Sequence, residues 1–179
     1  KVKIWLPIIK GSSGIDIFTR RLAEALRRRG ITAEVTWYPT HYQFAPFLLQ
    51  SFAPPPGTHI IHANSWSGFA FKRAGIPLVI TEHYCVFDPG YRPYKSLAQH
   101  LFHKALIRPF EKASFRSASV ITAVSRFTGS SLANTLNIRS ARVIYNWVDI
   151  NAFTPPPLGV PPGGCPFRLL YVGNLSLRK

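Results

Sequence analysis

The sequence predicts an α/β protein built on a doubly wound parallel sheet. Three observations carry the prediction. Strands and helices alternate almost without a break along the 179 residues. Leu78-Val79-Ile80 reads as a strand buried on both faces, as parallel strands usually are. A glycine loop joins the first strand directly to a helix.

That first unit is the most informative. Val2 to Ile8 reads as a strand, Gly11-Ser12-Ser13-Gly14 as the loop, and the helix runs to Arg29. Ser13 followed by Asp16 matches a capping box. Ile15, Phe18, Leu22, Ala25 and Leu26 recur at helical spacing, which gives the helix a buried face. Arg27, Arg28 and Arg29 fill its last turn, and Gly30 stops it. Such a loop aims backbone N–H groups and the positive end of a helix dipole at an anion, usually a phosphate. It serves equally well as a tight turn in an ordinary α/β domain, and the loop alone favours neither reading. It is not a P-loop, because Ile15-Asp16 stands where a Lys-Ser/Thr pair is needed. It is not a dinucleotide fingerprint either. The next strand, Ile31 to Tyr38, ends in Trp37-Tyr38-Pro39-Thr40 with no carboxylate for a ribose.

The remaining elements follow in order. His41 to Phe52 reads as a helix with an apolar bias, and Pro54-Pro55-Pro56-Gly57 forces a turn. Thr58 to Ala63 is a buried strand, Ser65 to Ala74 a helix closed by Gly75, and Pro77 to Thr81 the next strand. Tyr84 to Tyr94 is a loop rich in aromatics and proline. Ser96 to Ser117 is helical with a kink at Pro109. Val120 to Val124 (strand), Arg126 to Leu136 (helix) and Arg142 to Tyr145 (strand) complete the sheet. The domain so defined covers 1–150. Residues 151–166 are too rich in proline and glycine for a core and read as a stiff linker. Residues 167–179 hold one apolar run, Phe167 to Gly173, expected to be the first strand of a second domain.

Twenty-two Lys and Arg face seven acids, a net charge of +15. The balance argues for an anionic partner: nucleic acid, an acidic membrane surface or a phosphorylated substrate. The basic residues are spread along Arg20 to Arg29, Lys72-Arg73, Arg92 to Lys112 and Arg139-Arg142, which reads as a basic face on a folded domain. No run reaches the roughly 18 apolar residues of a membrane span, and the first residues read as a short strand, without the small-residue cleavage site expected of a secretory signal. Cys85 and Cys165 lie far apart and suit free thiols, so a cytoplasmic location is expected, peripheral on the inner face of the membrane.

Several motifs in order then resemble a family, the retaining, nucleotide-sugar-dependent GT-B glycosyltransferases of family 4. Gly11 to Gly14 looks like the family's glycine loop after strand 1. Ile60-Ile61-His62-Ala63-Asn64 is similar to its "DvvHaHs" strand, and Pro77-Leu78-Val79-Ile80-Thr81-Glu82-His83 to its "P-x-v-x-T-x-H". Glu111 and Ala118 to Ser125 resemble "E…AD-x-vi-x-vS". Val143 to Asp149 with Phe153-Thr154-Pro155 resemble "vi-x-NGvD…F-x-P", and Leu169 to Lys179 "llyvGRl-x-x-x-K". Each motif alone is weak; six in the right order and spacing are specific. Two departures stand out. Trp147 replaces the usual Gly, and Asn174 replaces the Arg that contacts the donor diphosphate, leaving Arg178 as the candidate for that charge.

The resemblance implies the acceptor-side, Rossmann-like half of a GT-B fold, with helices on both faces of a parallel sheet. It implies His83 near the donor sugar as the catalytic residue. Gly11, Ser12, Ser13, Gly14, Glu82, Ser125, Asn146 and Lys179 are the implied donor- and substrate-binding positions. Transfer is expected to use a nucleotide-diphosphate sugar, a glycan or lipid-linked acceptor, and neither metal nor organic cofactor. The carboxylate motif of the second domain lies outside this sequence, so the chain alone is not expected to catalyse transfer.

Each candidate has a plainer reading. His83 could satisfy a neighbouring backbone group. Glu82 could orient His83 or point the other way, since strands alternate. Glu111, among Lys104, Arg108 and Lys112, reads as a structural ion pair. Lys179 suits donor phosphates, or is a disordered end. His100 and His103, three apart on one helix, lack a nearby carboxylate or thiol and read as exposed or interface histidines rather than metal ligands. Phe44, Phe47, Leu48, Leu49 and Phe52 read as core or as a shallow membrane insertion. Two other functions compete with the transferase: a GT-B sugar-nucleotide epimerase, and a non-catalytic basic module for nucleic acid. The second explains the charge and Trp5, Trp37, Tyr91 and Tyr94, but no nucleic-acid-binding motif accompanies them.

Overall fold

In a computed structural model of the chain, residues 1–11, 13–148 and 150 are described. Ser12, the linker, the run after it and Lys179 lie outside the described residues, as does the expected second domain. The chain divides into two compact units, Lys1–Asn146 and Trp147–Lys179, and the sheet belongs to the first.

Strands β1 (Lys3–Ile9), β2 (Thr32–Tyr38), β3 (Ile60–Asn64), β4 (Leu78–Glu82), β5 (Val120–Ala123) and β6 (Arg142–Val143) pair in parallel. Their order is β2-β1-β3-β4-β5-β6. The chain steps outward from β1 to β2 and then returns to the other side of β1, so the direction of winding switches between β1 and β3. Among the described residues, four α-helices accompany the sheet: α1 (Gly14–Arg28), α2 (Leu97–Phe102), α3 (Arg108–Ser117) and α4 (Arg126–Leu136). The α/β, Rossmann-like class expected from the sequence is the one observed.

Side-chain alternation along β1 shows both faces covered. Leu6 packs with Ala33 and with Ala23 of α1. Its neighbour Trp5 belongs to the larger core on the opposite face, edge-on to Phe71 at 5.4 Å and donating its indole N–H to Thr36 Oγ1 at 2.8 Å. Trp5 is fully buried and so cannot stack on a nucleic acid base.

Helix α1 starts and stops as its sequence requires. Ser13 is the N-cap and accepts the Ile15 N–H at 3.3 Å. Asp16 reaches back further than a capping box requires and accepts the Gly11 N–H through both carboxylate oxygens, at 3.3 and 3.2 Å. Gly30 has φ +76°, a left-handed value that favours glycine. The buried stripe is Asp16, Thr19 and Ala23, flanked by half-buried Ile15, Phe18, Leu22, Ala25 and Leu26.

Three expected helices differ. The helix expected over His41 to Phe52 is two 3₁₀ turns, Thr40–Gln43 and Pro46–Ser51. Pro46 disfavours helical backbone at Ala45 (φ −139°, ψ 58°), which breaks the run. Arg73 then ties the second turn down, donating to the carbonyls of Gln50 at 3.1 Å and Phe52 at 2.6 Å. The helix expected over Ser65 to Ala74 shrinks to one 3₁₀ turn, Gly68–Phe71. The kink expected at Pro109 is a π-helical turn, His103–Ile107, between α2 and α3. A π turn absorbs the mismatch where proline removes an N–H from the helix ladder.

Gly68 sets how closely that 3₁₀ turn approaches β4. A Cβ there would overlap Cδ1 of Ile80 and lie 3.4 Å from Ser114 Oγ, which holds the Phe69 N–H at 2.9 Å. Ile80 is fully buried, so its side chain has to repack within the core to make room. Gly68→Ala is therefore expected to destabilise the domain by about 1–3 kcal/mol, read as a lower urea midpoint with an unchanged m-value.

Candidate functional site

Open parallel sheets bind ligands beyond the carboxyl ends of their strands, where the strand order switches. A cleft of about 380 Å³ opens there, between the loop after β1 and the segment after β3. Lys10, Gly11 and Ser13 line one side, Asn64, Ser65 and Trp66 the other, and Glu82, His83 and Tyr84 close it from the end of β4.

Period-two alternation along β4 sends its side chains to different layers. Thr81 and His83 share the α1 face. His83 packs edge-on against Phe18 at 4.5 Å between ring centroids, and desolvation pushes its pKa down to about 4. The imidazole is neutral at pH 7, with one ring nitrogen to donate and one to accept. Behind it runs a chain of hydrogen bonds across the sheet. His62 Nε2 meets Thr81 Oγ1 at 2.6 Å, and Thr81 Oγ1 meets Thr122 Oγ1 at 2.7 Å. The Thr122 hydroxyl ends the chain on the Ile80 carbonyl at 3.4 Å. Where the Thr122 proton goes to that carbonyl, Thr81 donates to Thr122 and His62 Nε2 donates to Thr81. Burial, with the neighbouring His83 second, holds the His62 pKa down to about 4.

Glu82 points to the opposite layer. One oxygen accepts the Tyr84 N–H at 3.0 Å. Desolvation raises its pKa to about 7, against the opposing pull of hydrogen bonds from Ser65 and the Tyr84 backbone. Glu111 of α3 lies in the same layer, fully buried, with Ser65 Oγ donating to its Oε1 at 3.4 Å. Burial first, and the charge of Glu82 second, push its pKa well above the usual carboxylate range. The ion pair expected for Glu111 is thus absent among the described residues, and a pair of buried carboxyl groups takes its place. The signal was present in the sequence: Ile107, Glu111 and Phe115 recur every four residues, so Glu111 lies on the inner face of its helix.

The other expected positions separate. Gly11 and Ser13 line the cleft, while Gly14 begins α1 and is exposed. The Gly11 N–H is already held by Asp16, so the loop's own carboxylate occupies a donor that an incoming phosphate would need. Ser125 caps α4, accepting the Thr128 N–H at 3.0 Å, and lies away from the cleft lining. Asn146 is exposed just beyond β6. Ser12 and Lys179 fall outside the described residues. His103, expected to be exposed or at an interface, is buried in the cleft wall against Trp66 at 6.1 Å. Among the described residues, no group of three or more His, Cys, Asp or Glu could hold a metal ion.

A parallel α/β domain with a cleft at its switch point, apolar over most of its lining and carrying a few polar groups, defines a ligand-binding domain of the Rossmann-like class. Residues 34–152 match the family model described as Glycosyltransferase Family 4, about two thirds of the sequence. The chain belongs to glycosyltransferase family 4, and its architecture is consistent with one half of a GT-B fold. The family implies a glycosyltransferase acting on a nucleotide sugar and an acceptor. The matched stretch begins after the glycine loop. No curated protein matches the chain.

Proposed function

We propose that this chain is the acceptor-side domain of a retaining GT-B enzyme that moves a hexose from a nucleotide-diphosphate donor to a glycan or lipid-linked acceptor, without a metal or organic cofactor. The observation that carries the reading is a neutral His83 at the rim of a cleft at the sheet's switch point. In a front-face substitution the leaving phosphate takes the acceptor proton, and the protein's task is to position and to stabilise charge. His83 donates to or accepts from a sugar hydroxyl through the nitrogen that faces the cleft. Ser65 and the Glu82 layer hold the β4 end that carries it.

A cytoplasmic enzyme, peripheral on the inner membrane face, accompanies this reading. No helix among the described residues is long and apolar enough to cross a membrane. Instead Phe44, which caps the first 3₁₀ turn, and Phe47 and Leu48 of the second are about half exposed, and Phe44 sits 5.8 Å from Phe102 of α2, the helix that carries exposed Leu97 and Leu101. These side chains supply shallow insertion while the net charge of +15 draws the domain to anionic lipid. Arg27 and Arg28 are poor probes of that attraction. Arg27 donates twice to the Ala33 carbonyl, at 2.9 and 2.6 Å, and Arg28 pairs with Glu24 at 2.5 Å.

One assay tests both parts: transfer by the protein that carries this chain, onto lipid-linked acceptor in phosphatidylglycerol-rich or neutral vesicles. Transfer with retained anomeric configuration, unaffected by chelator and faster on anionic vesicles at low salt, is expected. An inverted product overturns the retaining assignment, and equal rates on both vesicles overturn the membrane one.

A further inference from the structure

A second recess, of about 480 Å³, lies between the loop after β4, the α2–α3 segment and α4. Arg92, Lys95, Lys104 and Arg108 line it, four cations against the single carboxylate of Asp88. That carboxylate is spent elsewhere: Asp88 accepts the Gly90 N–H at 2.9 Å and the Ser131 hydroxyl. The ion pairs found among the described residues, Lys3 with Glu34 and Arg28 with Glu24, involve none of the four cations.

The recess is built, and it asks for an anion. Lys95 is held by the Val86 carbonyl and sits over the rings of Tyr91 at 4.8 Å and Phe87 at 5.8 Å. Arg108 also lies over Phe87, at 5.9 Å, and its buried Nε has no partner. These contacts fix two cations in place at little remaining entropic cost. His103, 8% exposed, presents a buried Nδ1 without a hydrogen-bond partner. A buried polar atom left unpaired costs about 1–3 kcal/mol, so a ligand oxygen or hydroxyl that satisfied it would recover that cost. His103 lines both this recess and the cleft at the switch point.

We infer that the recess binds a phosphate group, and that the group belongs to the acceptor, whose sugar end reaches the cleft past His103. The second half of this inference rests on the transferase reading above; the first half does not. Guanidinium and ammonium groups converging on one concave site suit the oxygens of a phosphate mono- or diester. The volume exceeds what a phosphate needs and leaves room for the residue attached to it. Two sources carry this chemistry: a lipid diphosphate and a soluble sugar phosphate.

Calorimetric titration of the full chain with inorganic pyrophosphate, with geranyl diphosphate and with a hexose 1-phosphate tests it. The variant Lys104→Gln/Arg108→Gln is expected to weaken pyrophosphate binding at least tenfold. Arg29→Gln/Arg139→Gln removes the same charge from exposed positions outside the recess and is expected to change it less than twofold. Lys104→Glu alone, at an exposed side chain, repeats the test should the double variant unfold. Equal loss in both double variants overturns the site in favour of diffuse attraction, and full displacement of pyrophosphate by duplex DNA overturns it in favour of a nucleic acid surface. Tighter binding of geranyl diphosphate than of pyrophosphate assigns the phosphate to a lipid, and tighter binding of the hexose 1-phosphate to a soluble acceptor. Hydrolysis of nucleotide sugar in the absence of acceptor, measured on the protein that carries this chain, does not need the recess. Failure of the phosphate site therefore leaves that activity in place, whereas failure of the transferase reading abolishes it.

Discussion

If the chain acts as proposed, replacing His83 by alanine in the protein that carries it is expected to lower turnover about 10²-fold or more, which corresponds to roughly 2.7 kcal/mol of lost transition-state stabilisation. The side chain is half-buried at the end of β4 and touches Phe18 at its edge, so the fold survives its loss. The pH profile is a second readout. With a pKa held near 4, His83 stays neutral through the physiological range, and the wild-type rate is expected to show no inflection near pH 6.5 from this residue. Wild-type turnover by folded His83→Ala would show that the residue only packs. A rate that falls on deprotonation near pH 6.5, and loses that dependence in the variant, would make it a general acid instead.

The buried carboxyl pair is expected to make stability fall as pH rises. Glu82 has a folded pKa raised to about 7 from 4.5, and Glu111 shifts in the same direction. A folded state that binds a proton more tightly than the unfolded chain is most stable below the unfolded value and loses that stability up to the folded one. For Glu82 the window is therefore about pH 4.5 to 7, and the shift corresponds to roughly 3 kcal/mol. His62 and His83 act with the opposite sign: their pKa values near 4 lie below the unfolded value, so they cost stability as pH falls below 6.5. The two effects oppose each other over much of the same range, and the wild-type profile alone does not separate them. Glu111→Gln does, because it keeps an acceptor for Ser65 and removes the repulsion on Glu82. Urea melts are expected to show the variant more stable than wild type at pH 8 by about 1–3 kcal/mol, in line with other buried charge replacements, and little different at pH 5. A difference that is the same at both pH values would show that the carboxyl groups do not interact.

How much of this was legible beforehand depended on the range of the interaction. The six strands expected within 1–150 were found within two residues of either end, because most are short apolar runs and the signal is local. Helix α4 was placed at Arg126–Leu136 as read, since Ser125 caps one end and Asn137 leaves it in the left-handed region at φ 59°. The segment over 41–52 was misread because its apolar residues recur at helical spacing while Pro46 and its tether to Arg73 decide the backbone. Glu111 was misread because neighbouring charges in the sequence suggested an ion pair, whereas its helix turns it inward onto Ser65.

The amino-acid order by itself determined the α/β class, the capped glycine-loop helix and the family, since caps, turns and apolar runs act over a few residues and family motifs are written in order. Only the tertiary structure decided which charges meet. Pairing β3, β4 and β5 in register brings His62, Thr81 and Thr122 into one hydrogen-bonded line. Packing α3 beneath β4 sets two carboxyl groups together in a buried layer. Folding the helical segment after the β4 loop turns a dispersed run of basic residues into one recess. Coulomb energy and desolvation depend on distance through space and on burial, and neither is a property of spacing along the chain.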